Sequence, residues 1–207
     1  MRKQDFGPDD LAASLTKIGN YLEGIASATG LLVDPPERYR SRLDHIRSEA
    51  DYSLAYTHNE PLITIRVSSY MGFRGLSTRC LPSILQQTYS NWEVIIVGDC
   101  DPQADLVRNH LLELNDARFK FIQREFRGPY PEDPRQAWLI AGAHAFNVAS
   151  REAQGLWIAK LDQDDSWEPN HLEVLLDSAR KYKSEIVYGK VRCHFVDMPP
   201  RPTEVVG

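Results

Sequence analysis

The sequence contains few cysteines, and no two of them have the spacing of a zinc site or a redox pair. Cys80, Cys100 and Cys193 are far apart and odd in number, so we expect neither a disulfide framework nor a structural zinc site. No apolar run approaches the roughly 18 residues of a membrane span. No apolar stretch follows the charged start Met1–Asp5, which predicts no signal peptide. We therefore expect a cytoplasmic protein with free thiols and no transmembrane segment.

The chain also lacks an excess of positive charge. It has 24 Lys and Arg residues against 29 Asp and Glu residues, a net charge of −5. Binding along a nucleic acid usually brings a basic excess, so we expect no nucleic-acid partner. A hydrophobic content of 42% is typical of a globular protein. At about 150 residues per domain, the length predicts one domain plus an extension.

The apolar pattern changes near residue 60, which predicts two parts. Residues 1–58 show helical spacing and no strand signal, with one helix that ends near Gly30 and a second that Pro35 and Pro36 open. We interpret this part as a helical arm that packs on its own domain or on another subunit. A homodimer through these helices is one expectation.

Residues 59–207 alternate short β-branched runs with helical patterns. This alternation is typical of an α/β fold with a mostly parallel sheet flanked by helices. The predicted strands are Leu62–Val67, Trp92–Val97, Phe119–Ile122, Leu156–Leu161 and Ile186–Tyr188. The predicted helices include one over residues 103–114 and a continuous one over residues 136–153.

Polar residues follow several predicted strands, at the sheet edge where parallel sheets bind ligands. They are Ser68, Ser69, Tyr70, Asp99, Asp162, Gln163, Asp164 and Asp165. Three carboxylates within four residues repel one another unless a cation or strong donors neutralise them. Mg²⁺ and Mn²⁺ prefer carboxylate oxygen and leave coordination positions open for phosphate.

Each of these residues also has a simpler interpretation. The acidic segment would be a solvated turn in which Asp165 or Ser166 caps the next helix. Asp99 would cap the helix that begins near Gln103, and Tyr70 would be packing at the rim of the sheet. None of these residues is specific when taken singly.

The order of the segments is similar to that of the family 2 glycosyltransferases, inverting enzymes with the GT-A nucleotide-diphospho-sugar transferase fold, which is Rossmann-like. The resemblance covers about Pro61–Phe195. It rests on two segments, S-I-L-Q-Q-T-Y-S-N-W-E-V-I-I-V and L-D-Q-D-D-S-W-E-P-N-H-L. The resemblance implies a glycosyltransferase that transfers a sugar, with inversion, from a nucleotide sugar, most plausibly a UDP-sugar, to an unknown acceptor.

The resemblance also implies where the nucleoside binds. Ser68 and Tyr70 match the family positions that contact uracil and ribose, and Ser69 lies between them. Asp99 matches a carboxylate that binds the nucleoside.

The diphosphate is expected at the acidic segment. Asp162 and Asp164 match the family's Asp-x-Asp motif around Gln163, and Asp165 lengthens it as a further metal ligand. The implied cofactor is Mn²⁺ or Mg²⁺. The resemblance places Arg135 near the diphosphate.

The chain departs from the family pattern in three places. In the first, Gly98 replaces the first Asp of the family's Asp-Asp-Gly-Ser turn, and Cys100-Asp101 replaces its last two residues. In the second, Gln163 stands where many members of the family have another Asp. The family's catalytic base lies further along the chain, so we expect it beyond Gly207 and assign none. The alternative function is a non-catalytic module that binds a nucleotide sugar or another protein.

Overall fold

A computed structural model of the chain describes residues 36–192. The chain divides into two units between Tyr52 and Ser53. In the first unit, helix α1 spans Pro36–Ser48 and begins with a proline, whose missing N–H is not needed in a first turn. The predicted helix that ends near Gly30 and the third cysteine lie outside the described residues, and the expected homodimer stays a prediction.

The second unit alternates strands and helices, as the pattern predicts. A short helix, α2, spans Ala50–Thr57 and precedes the first strand. The elements that follow are β1 (Ile63–Ser69), α3 (Phe73–Gly75), a π-helical turn (Leu76–Cys80), α4 (Leu81–Leu85), β2 (Trp92–Gly98), α5 (Ala104–Leu114), β3 (Phe119–Gln123), α6 (Pro134–Leu139), α7 (Ala143–Glu152), β4 (Trp157–Asp162) and α8 (His171–Tyr182). None of the helices within residues 36–192 combines the length and the apolar character needed to cross a bilayer.

The four strands form one parallel sheet in the order β3-β2-β1-β4. This confirms the predicted α/β fold with a parallel sheet. β2 is apolar along most of its length and nearly fully buried, as expected of a central strand covered on both faces. Register pairs Ser69 with Gly98 and Ser68 with Asp162, so the strands end together at one edge.

Helices cover both faces of this sheet. On one face, alternate residues of β1 and β2 pack against the π-helical turn, α4, α5 and α8. On the other face, Ile95 and Val97 pack against Ala145 and Ala149 of α7. The small side chains of α7 allow that helix to approach the sheet closely, and its first turn therefore lies beside the end of β1.

The predicted continuous helix over residues 136–153 is wrong, because the structure divides it into α6 and α7. Asp133 caps α6 by accepting a hydrogen bond from the backbone N–H of Gln136 at 2.8 Å, and Pro134 is the first helical residue. Gly142 adopts a left-handed conformation with φ of 77° directly before α7. A glycine tolerates that conformation without steric cost, so the chain changes direction there.

The predicted strand Ile186–Tyr188 is also wrong, since residues 186–190 have no regular secondary structure. Ile186 is 82% exposed and Tyr188 is 89% exposed. β-branched and aromatic residues favour a strand only where a neighbouring strand supplies hydrogen bonds and packing. Among the described residues, no strand pairs with this segment.

Residues that precede β1 pack on the sheet domain. The Trp157 indole N–H donates to the carbonyl of Ala55 at 2.8 Å, and its ring meets that of Tyr56 edge to face. Arg180 of α8 donates to the carbonyl of Asn59 at 2.9 Å. These contacts explain why the second unit begins at Ser53, whereas the sequence predicts a boundary after residue 58.

Gly155→Ala should lower the free energy of unfolding by about 1–3 kcal/mol. A Cβ there would lie 2.5 Å from the backbone nitrogen of Thr64 and 2.7 Å from the carbonyl oxygen of Leu62, and neither atom can move without disturbing β1. Gly189→Ala is the matched control, because its nearest neighbour would be a ring atom of His171 at 3.7 Å. Urea denaturation followed by tryptophan fluorescence measures both, and equal losses of stability would contradict the prediction.

Candidate functional site at the carboxyl edge of the sheet

The four strands deliver a group of polar residues to one edge of the sheet. The residues that directly follow them are Tyr70, Asp99, Arg124 and Gln163. Side chains from β1, β2, β3 and β4 therefore meet, although they are up to 93 residues apart in the chain. The carboxyl edge of a parallel sheet is the usual ligand site of α/β proteins.

A buried carboxylate, that of Asp101, ties the ends of β1 and β2 together. One oxygen accepts hydrogen bonds from the backbone N–H of Met71 at 3.0 Å and of Gln103 at 2.9 Å. The other accepts from the hydroxyl of Ser69 at 2.6 Å. Asp101 is only 2% exposed, so these bonds satisfy its charge in place of water. The helix that follows Gln103 has no side-chain cap, so Asp99 does not cap it as the sequence suggests, and the Asp101 carboxylate contacts only the N–H of Gln103 in front of it.

Gln163 holds the backbone of Tyr70. Its side-chain oxygen accepts from the Tyr70 N–H at 3.0 Å, and its side-chain nitrogen donates to the Tyr70 carbonyl at 3.0 Å. Because Gln163 is the middle residue of the Asp-x-Asp motif, the acidic segment and Tyr70 are fixed relative to each other. Gln163 thus positions Tyr70 through its side chain.

The Asp99 carboxylate is buried and fully engaged. Arg124 donates to one oxygen and the Tyr130 hydroxyl donates to the other. Arg127 Nε lies 3.6 Å from the second oxygen. Burial, the hydrogen bond to Asp99 and the charge of Asp99 together raise the pKa of the Tyr130 hydroxyl, so Tyr130 stays protonated and remains a donor.

Arg127 also lies between two aromatic rings. Its guanidinium carbon is 3.6 Å from the ring centroid of Tyr70 and 4.7 Å from that of Tyr130. The first distance is van der Waals contact, and a cation over an aromatic face is attracted by the negative charge of that face. Sequence reasoning missed Arg124, Arg127 and Tyr130, although all three lie in the charged loop that follows the third strand.

The three aspartates of the acidic segment differ in their contacts and exposure. Asp162 accepts a hydrogen bond from Lys160 Nζ at 2.7 Å, whereas the side chains of Asp164 and Asp165 are exposed. Burial and the charges of Asp164 and Asp162 raise the pKa of the Asp165 carboxyl, which shows that negative charge accumulates here. Within residues 36–192, no three acidic, His or Cys side chains converge into a metal-binding group. The metal-binding role predicted for Asp162, Asp164 and Asp165 stays a prediction.

The remaining predicted residues have different positions. Ser68 is partly buried beside the start of α7, where a Cβ on Gly142 would lie 2.6 Å from its hydroxyl. The Ser69 hydroxyl is engaged by Asp101. Arg135 is exposed on α6, and no contact places it with Asp162 or Asp164.

Two departures from the family's turn have a structural basis. A Cβ on Gly98 would collide with the side chain of Gln123, which donates to the carbonyl of Asp101 at 3.1 Å. Cys100 occupies a left-handed conformation with φ of 53°, where glycine is the favoured residue. The turn keeps the backbone geometry of a glycine although the residue is a cysteine.

Asp101→Ala should destabilise the domain by about 1–3 kcal/mol, because it leaves three donors at the ends of β1 and β2 without their acceptor. Asp105→Ala removes the same charge from a side chain that is 90% exposed and should cost less than about 0.5 kcal/mol. Thermal unfolding followed by circular dichroism measures both. Matching melting temperatures for the two variants would show that the hydrogen bonds of Asp101 do not stabilise the domain.

Comparison with known sequences supports the assignment made from the motifs. The model of Glycosyl transferase family 2 matches residues 139–204. WcaA of Escherichia coli strain K12, named as a colanic acid biosynthesis glycosyl transferase, is 36% identical over 119 residues, which are 57% of this chain and 38% of WcaA. The E. coli protein WfgD, named as a UDP-Glc:alpha-D-GlcNAc-diphosphoundecaprenol beta-1,3-glucosyltransferase, is 34% identical over 128 residues, which are 62% of this chain and 45% of WfgD.

A solved structure supports the fold. TarS of S. aureus, in a complex with UDP-GlcNAc, superposes with a TM-score of 0.51 at 22% identity, over 67% of this chain and 37% of that chain. This chain spans less than half the length of all three proteins. The strand order, the segment Ser83–Val97 and the family match agree with one another, and they support a similarity of this chain to glycosyl transferase family 2.

Proposed function

We propose that this chain is the donor-binding part of an inverting glycosyltransferase that uses a UDP-sugar. The observation that carries the proposal is the carboxyl edge of the sheet, where an aromatic ring, a buried carboxylate and an acidic turn follow three adjacent strands. These three features match what a nucleotide sugar presents, namely a flat base, hydrogen-bond donors and a diphosphate. The donor named for WfgD is a UDP-sugar, which supports the choice of UDP.

Each residue has a distinct part in this proposal. Tyr70 offers a ring face on which the base stacks, and the side chain of Gln163 fixes its backbone. Asp99 would accept a hydrogen bond from the nucleoside, and Arg124 compensates its charge. Ser68 is paired with Asp162, the first residue of the acidic turn, in the register of β1 with β4, close to where ribose and diphosphate would meet.

The acidic turn fits a divalent cation by the chemistry of its donors. Mg²⁺ and Mn²⁺ are commonly held by one or two carboxylates together with substrate phosphates, so the absence of three converging ligands within residues 36–192 is compatible with such a site. Asp162 and Asp164 are the residues that would hold the cation. When bound, it would neutralise the negative charge that grows on the leaving diphosphate.

Inversion requires a base that deprotonates the acceptor on the face opposite the leaving group. We assign no residue between 36 and 192 to this role. The acceptor, the cytoplasmic location and a base further along the chain stay predictions.

Isothermal titration of UDP into the full chain, with and without Mn²⁺, tests the proposal. We expect binding that requires the metal. Asp164→Ala should weaken it by at least about tenfold, or about 1.4 kcal/mol, because an exposed carboxylate of the Asp-x-Asp motif is lost. Asp177→Ala is the matched control, since Asp177 is an exposed aspartate on α8 away from the carboxyl edge, and it should bind UDP as the unaltered chain does.

The proposal would be overturned by an absence of binding for UDP, GDP and dTDP with either Mn²⁺ or Mg²⁺. Metal-independent binding that is unaffected by Asp164→Ala would contradict the assigned diphosphate position. In both cases the acidic segment would be a solvated turn.

A further inference from the structure

Arg127, in the loop that follows β3, covers one face of the Tyr70 ring at the candidate nucleoside site. Arg127 lies flat against Tyr70, with 3.6 Å between the guanidinium carbon and the ring centroid. That distance leaves no room for a second planar group on the same face. A base that stacks on this face of Tyr70 must therefore displace the guanidinium.

Charge balance indicates that Arg127 is not needed to compensate Asp99. Arg124 is 14% exposed and makes a direct ion pair with the Asp99 carboxylate, which already neutralises it. Arg127 is 44% exposed, and its Nε is 3.6 Å from the carboxylate, beyond hydrogen-bond distance. Arg127 is thus a cation that Asp99 does not need, and it is held by the rings of Tyr70 and Tyr130 rather than by a hydrogen bond to the carboxylate.

The loop is anchored on both sides of Arg127. The backbone N–H of Arg124 donates to the carbonyl of Gly98 at 2.9 Å. Tyr130 meets the ring of His144 edge to face at 5.8 Å. The segment between these anchors has no regular secondary structure, so the Arg127 side chain can move without breaking a helix or a strand.

We propose that Arg127 makes the site select nucleoside diphosphates over free nucleosides. Arg127 covers the stacking face of Tyr70 until a nucleotide enters, and it then leaves that ring and binds the phosphates of the same nucleotide. This inference rests on the proposed function. A free nucleoside displaces the guanidinium and offers it no anion in return. A nucleoside diphosphate displaces it and supplies phosphate oxygens, with which arginine forms strong charge-assisted hydrogen bonds.

The exchange predicts effects of opposite sign for two ligands that share the same base. In Arg127→Ala, uridine should bind about two- to fivefold more tightly, since the cation–π contact no longer competes. UDP should bind at least about threefold more weakly, because a charged donor to the diphosphate is lost. A residue with a purely structural role would weaken both ligands together.

Dissociation constants in the presence of Mn²⁺ test the proposal, measured by calorimetry for UDP and by ligand-observed NMR titration for uridine. Arg127→Lys keeps the charge but not the flat guanidinium, and it should retain UDP binding within about twofold. Arg151→Ala is the control for loss of one positive charge, because Arg151 is exposed at the end of α7. It should change neither constant, and circular dichroism of every variant verifies the fold.

The outcomes separate the inference from the proposed function. A ratio of uridine to UDP dissociation constants that falls by about sixfold or more in Arg127→Ala, as the two expected changes combine, supports the exchange. An unchanged ratio, a parallel weakening of both ligands, or uridine binding that stays undetectable in the variant overturns it. If the unaltered chain binds UDP, the proposed donor site survives that result. If the unaltered chain does not bind UDP, both fail.

Discussion

The parallel register of β1 with its two neighbours is the constraint on which the site depends. It aligns Ser69 with Gly98 and Ser68 with Asp162, so that the chain leaves three strands at the same level. A slip of one residue would turn every side chain of β1 to the opposite face of the sheet. The buried apolar side chains of β1 fix the register and thereby place polar residues that contribute little to the core.

Hydrogen bonds at the carboxyl edge fix the positions of the residues that follow these aligned strands. Asp101 joins the ends of β1 and β2 through three donors, and Gln163 joins the start of the acidic turn to Tyr70. Gln163 binds backbone groups of Tyr70, and Asp101 accepts from two backbone N–H groups and one hydroxyl, which restrains the loops. The exposed carboxylate of Asp164 and the ring of Tyr70 are consequently presented by a preorganised frame.

The sequence predicts the parts of this structure that depend on local patterns. Runs of buried β-branched residues mark β1 and β2, and the polar residues after the strands follow from the topology of a parallel sheet. Contacts between distant segments leave no such pattern. Nothing near Gln163 indicates that it holds Tyr70, and Asp101 has the appearance of an ordinary turn residue. The segment Ile186–Tyr188 has strand propensity, yet pairing depends on a neighbour that local sequence does not encode.

β4 has two functions in the architecture, because it carries the acidic turn and is also an outer strand of the sheet within residues 36–192. An outer strand has free backbone N–H and C=O groups along one side, and charged side chains such as Lys160 discourage unwanted pairing there. A segment that did pair along this side would restrain the backbone up to Asp162. The rigidity of the acidic turn, and with it the entropy that the proposed binding of a diphosphate would cost, therefore depends on what lies against the outer side of β4.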